Sequence, residues 1–132
     1  MRIDLDQAFG MHETTLALRA RRAQVLARNL ANADTPGFKA RDYDFGALLG
    51  EAARRNRPVG LSATRVGHLD AEVDPLARGL LYRVPFQPSV DGNTVENHVE
   101  YAAFLDNAIR YQATLSFIDG RIRSIRTALG SG

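Results

Sequence analysis

Cysteine is absent from the 132 residues, which excludes both a disulfide framework and a thiolate metal site. Lysine is nearly absent too: Lys39 is the only one, so the positive charge is almost entirely arginine. The formal charge is only +2, and acidic residues are interspersed among the basic ones. No clustered basic stripe of the kind that tracks a phosphate backbone is present, so a nucleic-acid partner is not expected. Arg19, Arg21, Arg22 and Arg28 come nearest. They spread around one helix and gather toward its C-terminal half, where they complement the macrodipole. No apolar stretch approaches the roughly 20 residues needed to cross a bilayer. Residues 1–18 carry Asp4, Asp6 and Glu13 where a secretion signal would be continuously apolar, so no cleaved signal peptide is expected.

The vocabulary of catalysis is missing as well. His12, His68 and His98 are scattered, with neither an i, i+4 pair nor H-E-x-x-H. No nucleophile elbow, phosphate-binding loop or G-x-G-x-x-G occurs. Asp42 and Asp44 are paired carboxylates in a turn region without a recognisable base or metal partner, and a solvated or structural role is expected for them. No catalytic, cofactor-binding or metal-binding residue is assigned, no cofactor is expected, and the chain does not read as an enzyme.

What the chain does have is helical periodicity at both ends. From about Asp4 to Ala31, Leu5, Phe9, His12, Leu16, Arg19, Ala23, Leu26 and Leu30 recur in alternating steps of four and three. That spacing predicts an amphipathic helix of roughly 27 residues, about 40 Å long. His12 and Arg19 fall on its stripe, which points to a seam that is partly buried or shared among partners. From Thr94 to Leu129, Tyr101, Phe104, Ala108, Tyr111, Leu115, Ile118, Ile122, Ile125 and Leu129 step +3, +4 without a break. Kept over about four heptads, this is the pattern of a coiled-coil seam, read here as an assembly seam. Ala102, Leu105, Ile109 and Ala113 add a flanking apolar stripe. Asp91-Gly92 marks a turn, and Thr94 is the predicted N-cap.

Between the helices, about Asn32 to Asn93, lie all five prolines and seven of the glycines. Phe45 to Arg55 predicts a short helix, and Leu80 to Val84 has strand composition ended by Pro85. The expected organisation is one structural domain in three zones: an N-terminal helix (1–31), a loop-rich middle with a short hairpin (32–93) and a C-terminal helix (94–132). Two long helices joined by a proline-rich middle can bury their stripes only against each other or against neighbouring chains.

The densest signal sits where the first helix must stop: Asn29-Leu30-Ala31-Asn32-Ala33-Asp34-Thr35-Pro36-Gly37-Phe38-Lys39. Asn29 and Asn32 can satisfy backbone groups freed at a helix end. Pro36 drives Thr35 out of the helical region, and Gly37 supplies a conformation other residues resist. This string resembles the signature of bacterial flagellar rod and hook proteins, a helix running into N-x-A-N-x-x-T-P-G-[FY]-K. The candidate motif residues are therefore Asn29, Asn32, Thr35, Pro36, Gly37 and Phe38. Asp91 to Glu96, Ala108 to Ala113 and the Ala40-to-Phe45 stretch are similar to the proximal-rod branch of that family, and the short length agrees. The likeness covers roughly residues 10–50 and 90–129.

The resemblance implies a mainly α fold, with the N- and C-terminal helices paired as an antiparallel coiled coil. It implies a subunit that polymerises with copies of itself into a helical tube through the bacterial periplasm, transmitting torque and housing the export channel. Implied partners are adjacent rod proteins such as FlgC, the adaptor FliE, the MS ring and the flagellar type III export apparatus. Within the family the alternative is a FlgC-like sibling; outside it, a cytosolic coiled-coil adaptor, which would have no use for the string at Asn29–Lys39.

Overall fold

A computed structural model describes residues 5–55 and 79–130. Its elements, in chain order, are α1 (Leu5–Ala31), β1 (Arg41–Tyr43), α2 (Phe45–Arg55), β2 (Leu80–Tyr82) and α3 (Asn97–Gly130). Of the loop-rich middle, residues 56–78 lie outside the described part, Pro58, His68 and Pro75 among them.

The chain is mainly helical, and its two long helices lie at its ends. α1 stops after Ala31 because the backbone tightens: the Asn32 amide bonds the carbonyls of Arg28 and Asn29, and Ala33 bonds Leu30. α2 occupies the segment its pattern predicts. Asp44 caps it, with Oδ1 accepting from the Ala47 amide at 3.0 Å and its carbonyl accepting from Leu48. α3 begins three residues later than its expected cap. Asn93 Oδ1 accepts from the Val95 amide at 2.7 Å, which folds 93–95 into a turn of its own. The first helical bond then runs from Glu100 to the Glu96 carbonyl. Thr94 is left to accept the Ala40 amide at 2.7 Å.

β1 and β2 form a two-stranded antiparallel ladder, Arg41 opposite Tyr82 and Tyr43 opposite Leu80. Strands of three residues are marginal alone. They persist because β1 lies against α1, and because Arg83 continues the ladder by donating to the Ala40 carbonyl at 2.9 Å.

α1 and α3 pack along each other in opposite senses: Asn29, late in α1, meets Glu100, early in α3. Arg19, ten residues back, meets Asn107. The buried side of α1 carries Thr14, Leu18, Leu26 and Asn29, whereas Leu16, Ala23 and Leu30 of the sequence stripe are half-buried. The polar anchors Arg22 and Asn29 set this rotation of the helix.

Candidate functional site

The turn after α1 is held from the far end of the chain. Asn93, 5 % exposed, donates its side-chain amide to three carbonyls of the turn: Asn32, Ala33 and Thr35, at 3.0, 2.8 and 2.9 Å. These carbonyls lie just past the end of α1, and those of Asn32 and Thr35 also accept the Thr35 and Phe38 amides. Gly37 donates to the Asp91 carbonyl at 3.0 Å, and Thr94 donates to Phe38 at 3.0 Å. Lys39, the only lysine, closes the same seam by donating Nζ to the Gly92 carbonyl at 2.5 Å. Inside the turn, Asn32 Nδ2 donates to the Arg28 carbonyl and Thr35 Oγ1 bonds Asn32 Oδ1. Pro36 is exposed and Phe38 half-buried.

Two facing glycines make this geometry possible. Gly37 has φ 72° and Gly92 φ 75°, the left-handed region that side chains resist. A Cβ at Gly37 would meet nothing within 4 Å, so the constraint there is conformational and not steric. Gly37→Val should therefore cost about 1–2 kcal/mol or more, Gly37→Ala less, and Gly37→Asn least, since asparagine tolerates this region. Thermal melts of the three variants check the order; equal effects would place the constraint elsewhere.

Asn29 links the turn to a half-buried charged cluster that includes the fully buried Glu100. Asn29 is 2 % exposed, donating to the Arg41 carbonyl at 2.7 Å and to Glu100 Oε2 at 3.0 Å. Its Oδ1 accepts the Arg41 amide at 3.2 Å. Asp42 receives a bidentate fork from Arg22, both bonds 2.8 Å, and a third from Arg83 Nη2 at 2.5 Å. Arg83 Nη1 also lies 3.0 Å from Glu100 Oε1. That contact pairs the charges without aligning a hydrogen bond to Oε1. Two cations and two anions thus bind α1, β1, the residue after β2, and α3 into one neutral knot. Bidentate arginine–carboxylate forks are among the stronger polar contacts.

Burial alone would raise the Asp42 carboxyl, but the Arg22 fork, the Tyr43 amide and Arg83 together hold it below the usual range. Glu100 goes the other way: burial raises it, and Asn29 and Arg83 offset only part of that. The signs follow. Asp42, lowered in the fold, contributes stability that is complete above the ordinary aspartate range and is lost as pH falls through its folded value. Glu100, raised in the fold, withdraws stability as pH rises from the ordinary glutamate range through its folded value. The Asp42→Asn variant should be less stable than the parent at neutral pH, with the gap closing as acid protonates the parent's Asp42. Urea midpoints measured across the acid range would show it, and a constant gap would remove Asp42 from the pH response.

Arg19 completes the packing under α2. Only 9 % exposed, it stacks over the Phe45 ring at 4.3 Å, while its carbonyl accepts Asn107 Nδ2 at 2.9 Å. Burial, and then Arg110, lowers its pKa.

Along α3, the buried positions are Glu100, Asn107 and Thr114, one per heptad. Of the residues read from the sequence as an assembly seam, Phe104, Tyr111, Leu115, Ile118 and Ile125 are half-buried. Tyr101, Ala108, Ile122 and Leu129 are exposed, Leu129 at 79 %. The protomer therefore does not bring all nine together.

The model of the Flagella basal body rod protein family matches residues 10–39, which are most of α1 and the turn up to Lys39. Over its whole length the chain is similar to the flagellar basal body rod protein FlgB of Escherichia coli, 44 % identical over 133 residues covering 97 % of this chain and 96 % of that protein. FlgB of Aeromonas hydrophila is 45 % identical over 131 residues, covering 98 % and 97 % of the two chains. FlgB of Cereibacter sphaeroides is 46 % identical over 121 residues, 91 % of each. The chain belongs to the FlgB family of flagellar basal body rod proteins. The rod-protein match ends at Lys39, yet the side chains that fix the rod-protein turn, Asn93, Thr94 and Glu100, come from the other end of the molecule. Sequence reading did not single out Asn93 or the Arg22–Asp42–Arg83–Glu100 cluster. The one local signal was the position of Asn93 just after a turn-forming Asp-Gly pair.

Proposed function

We propose that this chain is a structural, non-enzymatic subunit of the proximal flagellar rod, self-assembling with copies of itself into a helical tube that transmits torque and surrounds the export channel. The observation that carries this reading is an inverted distribution of side chains. Among the described residues, the buried apolar set is Leu18, Leu26, Ala40 and Ala52, outnumbered by seven buried polar or charged residues. Large apolar side chains stand outside instead: Phe86 is 85 % exposed, Ile109 69 % and Phe117 67 %. Exposed apolar surface on this scale marks contacts with other chains, as a polymer subunit requires. No helix among the described residues is long and apolar enough to cross a membrane, which fits a rod running through the periplasm.

In the assembled rod, α1 and α3 act as an antiparallel coiled coil, with the predicted α3 seam completed between subunits. FlgC-like rod proteins continue the tube, and FliE, the MS ring and the type III export apparatus meet its base. The turn at Asn29–Phe38 sets the direction in which the chain leaves the coiled coil. A strain lacking this protein should be non-motile, with basal bodies that stop before the rod, and the parent chain should restore both. Complete rods in the deletion strain would overturn the reading.

A further inference from the structure

α3 has a second apolar face, pointing away from α1. Tyr101, Leu105, Ile109, Ala113 and Phe117 follow one another four residues apart, so they form one inclined ridge. All five are exposed, the four large ones at 59–69 %. Together they present on the order of 400 Å² of apolar side chain, the size at which a patch marks an interaction site. α1 shows the reverse character on its own outward side. Ala20, Gln24, Ala27 and Ala31, spaced four, three and four, are all exposed and nearly all small. A ridge of large side chains and a shallow face of alanines are complementary shapes, and they lie on opposite sides of the same helix pair.

We propose that the outward ridge of α3 docks on the alanine face of α1 of a second copy of this chain, in a head-to-tail contact that repeats from subunit to subunit. The proposal rests on the rod-subunit reading and names the faces that join. Charge selects the direction. With the two helices antiparallel and Ile109 set against Gln24, Arg28 of one copy falls on the same flank as Asp106 of the other, which already pairs with Arg110 of its own helix at 2.9 Å and is exposed enough to take a second cation. Glu13 falls within side-chain reach of Arg123. A parallel arrangement in the same register would set Arg28 beside the uncharged Gln112 and carry Glu13 away from Arg123, so neither pair would form. Geometry gives the same answer independently. α1 and α3 run in opposite senses within a protomer, and subunits related by rotation about a tube axis keep their directions, so α3 of one and α1 of the next are again opposed. Because the two faces differ, the contact does not close as a dimer and propagates instead.

The absence of cysteine gives a clean background for the test. Ile109→Cys is paired in turn with Ala20→Cys, Gln24→Cys and Ala27→Cys in the full-length chain, expressed in the deletion strain. Isolated basal bodies are oxidised and run on denaturing gels. At least one pair should give a ladder of cross-linked species continuing past the dimer, while each single variant gives monomer only. Dimers from Ile109→Cys alone would mean that two α3 ridges meet, overturning the proposal. So would basal bodies that contain the protein yet show no link from any pair. A photo-reactive residue at Ile109 should capture a second copy; capture of a different rod protein instead overturns the choice of occupant. Absence of the protein from assembled, functional basal bodies would overturn the rod reading itself, an outcome separate from the others.

Discussion

Arg83→Ala should lower the stability of the fold by about 3–5 kcal/mol at neutral pH, the range for removing one partner of a buried ion pair. Among the described residues, Arg83 is the only cation that touches both anions of the cluster, Asp42 and Glu100. Asp42 keeps Arg22 when it goes. Glu100, with no exposed surface at all, keeps only the Asn29 amide among the described residues. Its escape is to take up a proton, so the loss should shrink as pH falls and grow as pH rises. Adding Glu100→Gln to Arg83→Ala removes the stranded charge and should recover most of the lost stability. Urea unfolding followed by far-ultraviolet circular dichroism measures all three. If the double variant is no more stable than Arg83→Ala, the stranded charge is not the cause.

Ile118→Asp should be similarly severe and should be read in assembly. Ile118 is half-buried, on the same side of α3 as Phe104, Tyr111 and Ile125, so a carboxylate there loses solvent without gaining a partner. That costs several kcal/mol unless the group is neutralised. Arg126→Asp places a carboxylate on an exposed flank of the helix, off both the Ile118 side and the Tyr101–Phe117 ridge, and should cost about 0.5 kcal/mol, as surface changes do. In the deletion strain, the Ile118→Asp subunit should be secreted but missing from rods, and Arg126→Asp should restore swimming. Equal complementation by both would mean that this side of α3 is not sealed in the rod.

The helices were legible because their signal is local. Apolar residues repeat at helical spacing across the segments that became α1 and α3, and the pattern from Phe45 to Arg55 marks α2. The strand at Leu80–Tyr82 was legible from composition, but its partner was not. Arg41-Asp42-Tyr43 has no alternation to read and becomes a strand only because Leu80–Tyr82, far along the chain, returns to it. The positions on α3 that face α1 were hidden for a different reason. Glu100, Asn107 and Thr114 are polar, and polarity predicts the solvent side. Glu100 and Asn107 are inside because each has a partner that no local pattern reveals: Asn29 for Glu100, the Arg19 carbonyl for Asn107. Thr114 satisfies itself on the Arg110 carbonyl of its own helix at 2.9 Å. In the candidate site, the conformation of Gly37 was readable from Pro36-Gly37. The grip of Asn93 on the turn was not, since it joins residues about sixty positions apart.

That grip also sets an order of events. The bonds Asn93–Asn32, Asn29–Glu100 and Arg19–Asn107 span 61, 71 and 88 residues. Each ties the first quarter of the chain to its last third. A polypeptide emerging from a narrow passage with its N-terminus leading can make none of them until Asn93, of 132 residues, has come through. Contacts this distant in sequence are slow to close. The helix at the leading end meanwhile has only its intrinsic propensity, which is marginal in water for a single segment. The last forty residues therefore close the fold: until they are present, Asn32, Asn29 and Arg19 have no distant partner to bond, and their arrival ties the two ends together.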